Sequence, residues 1–438
     1  MDRRQFLQGV GTFAVADVAL SLLPEQVFMH DLLLRRAAAT GLNMLQGLTT
    51  ETTTQLTVDV PKLLNVEYIL KDRETGKIFK PDWIKESANA KSPSRVDKML
   101  FTQLELGHNY QFTVKDTTKN VLLDERFLTT MDLSRTNAKI AVMSCIKDSE
   151  SARTKMWISA QKSNADYYFM IGDTVYGDSF FSHGPDKLWS RFIETRMNIS
   201  YYQWKNLKPV LAVWDDHDYG KNNEDGEYEH KDGTLKVFKA FYGQEAMDSV
   251  LVPGPANSMY FRGFNQNFLF LDSRYYRKLP NGRIEGFLGA EQMKWISDTM
   301  VGAQGPTWIM EGSPFFGRAD KSNTSYESIA KEELNLFLGE VSSWNSPSVF
   351  MGGDVHYSEI SQIDKTVLGY QTYEFISSCM HSSTKSSYYE NPNKHMQGTF
   401  SENFLTLEKT GMATDPTWKV SSLGADSKVL FTGDYKVG

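Results

Sequence analysis

Six short apolar runs between residues 139 and 356 constrain this chain more than any other feature: KIAVMSC, DYYFMIGD, PVLAVWDD, FLFLDSR, TWIMEGS and SVFMGGDVH. Each has the length of a buried strand, and nearly all give way to polar or charged residues. Helical patterns such as PDKLWSRFIETRM, GTLKVFKAFYG and GAEQMKWISDTMV lie between them. Strands alternating with amphipathic helices specify a layered α/β domain. In such folds the ligand site lies beyond the carboxyl ends of the strands, so the polar endings are expected to converge despite their wide separation in sequence.

The preceding region has a different texture. Residues 40–132 are dense in Thr and Val, and NVEYILKD, NYQFTVKD and LLDERFLTT read as short strands. Tyr110, Phe112 and Val114 alternate with Asn109, Gln111 and Thr113, the period of a half-buried strand. A small all-β sandwich of the immunoglobulin/fibronectin-like kind fits, with LELGHNY resembling a strand entry where a tyrosine ties the corner. DLSRTN is the natural linker, which places the second domain at residues 138–438. With 438 residues the chain exceeds what one core usually supports, and two domains are the expectation.

The N-terminus, MDRRQFLQGVGTFAVADVALSLLPEQ, resembles a twin-arginine export signal over residues 1–30. Its expected partner is the twin-arginine export machinery, and its expected destination is the periplasm, the cell surface or the medium. No stretch reaches the roughly 18 apolar residues of a stable membrane span. A formal net charge of −7 argues against general nucleic-acid binding, which rests on clustered Lys and Arg. Two cysteines, Cys145 and Cys379, exclude a disulfide framework.

The strand endings supply Cys145, Asp173 with Tyr176, Asp215 to Asp218, Asp272 with Arg274, Ser313, and Asp354 with His356. Each alone has a plain structural reading: GDTVYGD as a turn, DDHD as a helix cap, GGDVH as a turn with a core histidine, and Cys145 as a small buried hydrophobe. Together at successive strand ends they point to metal. Carboxylates meeting in one cleft repel unless cations neutralise them, and Asp, His, Cys and Tyr anions are all ligands. Two cations sharing a carboxylate would activate a water for attack on phosphorus. The acidic run NNEDGEYEHKDG lacks EF-hand ligand spacing and reads as a solvated loop over the cleft.

In this order, SC, GDTVY, WDDHDYGKNN, LDSRYYR and GGDVH resemble the alkaline phosphatase D (PhoD-like) family of metallophosphoesterases. The likeness includes the leading sandwich and the export signal. It implies a four-layer α/β/β/α catalytic domain and a mixed centre of Fe(III) and Ca(II). Carried over, Cys145, Asp173, Tyr176 and His356 hold the iron, Asp173 bridges, and Asp216, Asp354 and Asn223 complete the second site. His217 falls where a histidine faces the phosphate and protonates the leaving oxygen. Arg274 and Arg277 are the candidate phosphate-facing cations, with a salt bridge from Arg274 to Asp272 as the competing role. Asp218 stands where the family usually has glutamate. A phenol with a pKa near 10 ligates at neutral pH beside a strongly acidic cation such as Fe(III), and such a pair colours the protein. The function implied is an exported phosphoesterase acting on small-molecule or lipid phosphate mono- or diesters through a metal-activated hydroxide. The rivals are a phospholipase-like phosphodiesterase on the same centre and a surface binding protein with a structural metal site.

Overall fold

The structure, a computed structural model, describes residues 41–178, 183–278, 286–317, 324–409 and 417–437. The segment read as an export signal lies outside the described residues. Among the described residues no helix is long and apolar enough to cross a membrane.

Two four-stranded sheets open the described chain. One holds Met44–Thr49, Thr54–Pro61, Ser94–Phe101 and Trp83–Ala88. The other holds Ile78–Phe79, Val66–Asp72, Asn109–Asp116 and Val121–Thr129. Val58, Met99 and Phe101 of the first sheet meet Leu70, Tyr110 and Phe112 of the second in one core. The alternation read from the sequence is what makes this possible, because Tyr110, Phe112 and Val114 share the buried face of Asn109–Asp116. The Tyr110 hydroxyl ties the strand entry by accepting a hydrogen bond from the Glu105 amide at 2.7 Å.

The remaining chain forms a six-stranded and an eight-stranded sheet. Val210–Val213, Tyr167–Ile171 and Lys139–Met143 run parallel at one side of the first, and Ser348–Gly352 lies between Thr307–Met310 and Thr372–Ile376 in the second. Successive side chains of each apolar run enter different cores. Ile140, Val142, Phe169, Ile171, Leu211 and Val213 point between the two sheets, where they meet Phe268, Phe270, Trp308 and Met351. Their neighbours Ala141, Met143, Tyr168, Met170 and Ala212 point the other way, onto helices Arg153–Ser163, Pro185–Asn198 and Lys231–Phe241. Leu269, Ile309 and Phe350 do the same toward Gly289–Met300 and Lys331–Ser343. Burial on both faces explains why these runs read as continuously apolar rather than alternating.

Several strands were not legible as runs. Phe404–Lys409 pairs antiparallel with Lys139–Met143, and Thr417–Leu423 and Val429–Lys436 extend that sheet to its edge. Their mixed composition resembles loop sequence, and only pairing with a distant strand makes them sheet.

The sandwich docks on the α/β unit through a buried ion pair. Arg196, fully buried in helix Pro185–Asn198, donates from Nη1 to Asp59 Oδ1 at 2.9 Å. Its guanidinium also lies 4.9 Å from the Tyr202 ring and 4.8 Å from the Phe241 ring. Beside it the backbones nearly touch: Leu48 N donates to Gly243 O at 2.7 Å, and a Cβ added at Gly47 would lie 1.9 Å from that oxygen. Asp59→Ala strands the buried Arg196 charge and should cost about 3–5 kcal/mol of stability, read by urea denaturation. A loss below about 1 kcal/mol would show that the pair does not hold the junction.

Candidate metal centre

The glycines of the strand-end motifs mark where the two sheets meet. A Cβ at Gly312, after Thr307–Met310, would lie 2.5 Å from Asp215 Cβ, and one at Gly172, after Tyr167–Ile171, would lie 2.6 Å from the same atom. A Cβ at Gly353 would be 2.8 Å from Gly312 O and 2.9 Å from Ile171 O. Only residues without a side chain allow this approach, so the Gly-Asp and Gly-Gly-Asp pairs are packing requirements that deliver aspartates to one point.

The delivered residues have an unusual backbone. Cys145, Asp173, Asn223, Asp354 and His356 all have positive φ, between 53° and 66°. Such a conformation is costly for residues with a Cβ and gathers at functional sites, where the surrounding structure holds it in place.

Donor atoms of these residues fall into three overlapping sets, each with its atoms within 4.8 Å of one another: Cys145, Asp173 and His356; Asp173, Asp216 and His217; Asp215, Asp216 and Asp354. Asp173 and Asp216 link the three. Tyr176 borders the first set, its hydroxyl 3.4 Å from His356 Nε2 and 3.4 Å from Ser382 Oγ. The Asp173 Oδ2 atom is buried with no hydrogen-bond partner. Burial, with Asp216 beside it, pushes the Asp173 carboxyl well up. Burial and Asp173 likewise push up the Cys145 thiol and the Tyr176 phenol. Burial with Asp215 and Asp216 raises Asp354 to about 7. Asp216 goes the other way: burial opposes its charge, but Arg274 and His217 outweigh it and hold it below the usual carboxylate range.

A ring of supporting contacts fixes these groups. His356 Nδ1 lies 2.6 Å from Ser383 O, and Cys145 Sγ lies 3.1 Å from Ser378 Oγ. His217 Nδ1 sits 2.7 Å from Asp178 Oδ1, and its ring lies on Tyr176 with centroids 4.2 Å apart. Burial disfavours the imidazolium, yet Asp173 and Asp216 push His217 up to about 11. Asp218 is no solvated charge: its Oδ2 accepts from Thr174 N at 2.8 Å and Thr174 Oγ1 at 2.9 Å, and its Oδ1 accepts from Asp215 N at 2.6 Å. The shorter residue therefore spans the gap, with the Tyr242 hydroxyl bracing Thr174 at 2.8 Å.

Three expectations need correction. Arg274 does not pair with Asp272, whose carboxylate accepts the backbone amides of Asn257, Arg274 and Tyr275. Its Nε instead donates to Asp215, and Nη2 reaches Ser313 Oγ at 3.2 Å. Arg274 is also fully buried, as is Arg277, whose Nη2 reaches the same Ser313 Oγ at 2.7 Å, so neither faces solvent as a phosphate-facing cation would. Asn223 meets the centre through its backbone, donating N–H to Asp216 Oδ2 at 2.7 Å, while its residue is exposed. Of the partners missed, Asp178 stood within the quoted GDTVYGD, five residues after Asp173. Ser378, Ser382 and Ser383 carried no signal, because a strand ending in serines reads as ordinary packing.

The arrangement suits cations: hard carboxylate oxygens, one thiol, two imidazoles and one phenol around buried, partly unpartnered acids. The family model for PhoD-like phosphatases matches residues 140–414. No curated protein matches the chain. A solved structure of PhoD superposes with a TM-score of 0.66 at 16% identity, covering 90% of this chain and 88% of that one, which shows a shared fold. A cyclomaltodextrinase overlaps with a TM-score of only 0.18 at 8% identity, over 71% of this chain and 59% of that one, and carries no argument.

Gly312→Ala should force Asp215 and the strand ends apart. The expected cost is about 1–3 kcal/mol or more in chemical denaturation. An unchanged midpoint would mean the junction is looser than its contacts imply.

Proposed function

The chain belongs to the PhoD-like phosphatase family, and from that membership we propose that it hydrolyses phosphate esters, mono- and/or diesters, at a two-metal site. The observation that carries this reading is the linkage of three donor sets through Asp173 and Asp216. Cys145, Asp173, Tyr176 and His356 would hold one ion, and Asp216 and Asp354 the other, with Asp173 between them; we carry Fe(III) and Ca(II) as the pair. When bound, such ions acidify water and neutralise charge on a phosphoryl group. The residues fit them, because an opposite charge reverses the burial that otherwise keeps Asp173, Cys145 and Tyr176 protonated.

The chain's own groups supply orientation and a proton. His217, held through Nδ1 by Asp178, keeps Nε2 for the leaving oxygen, where an imidazolium acts as general acid. Arg274 fixes Asp215 and lends its charge to keep Asp216 ionised. We read the sheets and their outer helices as a four-layer α/β/β/α catalytic domain within residues 138–438, and the leading unit as an immunoglobulin/fibronectin-like sandwich. Export by a twin-arginine signal is part of the same reading, supported by residues 1–30 of the sequence.

Hydrolysis of a chromogenic monoester and the matching diester tests the activity, with Asp173→Asn as the control. The variant should lose turnover by at least roughly 100-fold, whereas a surface binding protein would show no turnover with or without the substitution. Diester preference would move the reading toward a phospholipase-like enzyme.

Metal binding should be linked to protons. Asp173, Cys145, Tyr176 and Asp354 all lie above their ordinary values, so each loses a proton when it ligates, and affinity should rise with pH. Calorimetry of chelator-stripped protein in two buffers of different ionisation enthalpy reads the proton release. Binding that releases no protons and ignores pH would remove these residues as ligands.

A further inference from the structure

The geometry points to Lys385 as the side chain that holds the substrate phosphate at the rim of this site and favours doubly charged monoesters over diesters. The inference rests on the phosphoesterase reading above and adds the missing cation to it. A phosphate ester is an anion, and its recognition calls for positive side chains within reach. Arg274 and Arg277 are sealed from solvent, and their donors go to Asp215, Ser273 and Ser313. The one Arg274 nitrogen without a partner, Nη1, is itself buried. Arg191, which reaches the site through the Tyr176 carbonyl, is spent on Asp148 and Glu194. Lys147 pairs with Glu150.

Lys385 differs from all of these. Its backbone N–H donates to His356 O at 3.1 Å, and Ser383 O, two residues before it, holds the His356 ring. Ser382, the residue before that, touches the Tyr176 hydroxyl. Residues 382–385 thus wrap the side of the centre formed by His356 and Tyr176. Lys385 is exposed and forms no ion pair among the described residues. An ammonium on a flexible stem, anchored beside the centre and without an acidic partner among the described residues, is placed to meet an anion arriving from solvent. Coulomb attraction scales with the charge of the ligand, so a dianionic monoester gains more than a monoanionic diester.

The test uses the full-length protein with its native metals. Inorganic phosphate is titrated by calorimetry into wild type, Lys385→Gln and Lys385→Arg. Binding weakened roughly 10-fold or more in Lys385→Gln, restored in Lys385→Arg and eroded by salt is the expected result. Equal affinity in wild type and Lys385→Gln overturns the inference, as does a wild type that binds no phosphate. In hydrolysis assays KM for the monoester should rise in Lys385→Gln with kcat nearly unchanged, and KM for the diester should move less. Equal changes for both esters, or a fall confined to kcat, overturn it. If wild type hydrolyses neither ester, the phosphoesterase reading fails by itself, and the phosphate titration still decides Lys385. Should Lys385→Gln not fold, the salt dependence of phosphate binding by wild type takes its place, and binding indifferent to salt overturns the inference.

Discussion

Too many acids share one sealed space in this protein. Asp173, Asp215 and Asp216 are each at most 1% exposed, and Asp354 lies against the last two. Arg274 directly pairs with Asp215 and lies 3.9 Å from Asp216, and among the described residues neither Asp173 nor Asp354 has a paired guanidinium. Like charges in low dielectric raise one another's pKa, and an unpaired buried charge is among the costliest features a fold can carry. The chain adds backbone strain to this, with Cys145, Asp173, Asp354 and His356 all in the left-handed region. A packing-driven fold has no use for either feature. Under the proposed reading, cations would turn the repulsion into coordination and account for both.

The architecture serves this convergence. Two sheets share the core between them, and their strand ends come so close that Gly172, Gly312 and Gly353 leave no room for a methyl group. Supporting contacts then set these groups: the Asp218 carboxylate holds the turn at Thr174, the Asp178 carboxylate turns His217, and the Ser383 backbone carbonyl orients His356. Such outer contacts fix ligand geometry as firmly as the ligands fix the ion.

One connection from the leading sandwich to the site runs along the helix Pro185–Asn198. Arg196 at its end pairs with Asp59 of the sandwich, and Arg191, more than one turn earlier, donates to the Tyr176 carbonyl at 3.2 Å. Docking of the all-β unit therefore steadies the backbone that carries the phenol, and the sandwich is more than an appendage.

The sequence by itself determined the layered α/β texture, the alternation in Asn109–Asp116, and the gathering of Cys145, Asp173, Asp216, Asp354 and His356 at strand ends. These are local signals: buried strands are apolar, and the polar residues that end them lie on the ligand side. Tertiary structure alone decided the rest. Phe404–Lys409 is a strand because Lys139–Met143 lies beside it. Arg274 pairs with Asp215 rather than its neighbour Asp272, because the turn at Asp272 uses that carboxylate for backbone amides. Both arginines of DSRYYR are buried, while Lys385, in a stretch with no motif, stands exposed beside His356. Pairing and exposure depend on which distant segment arrives at a residue, and periodicity and spacing along one chain hold no record of that.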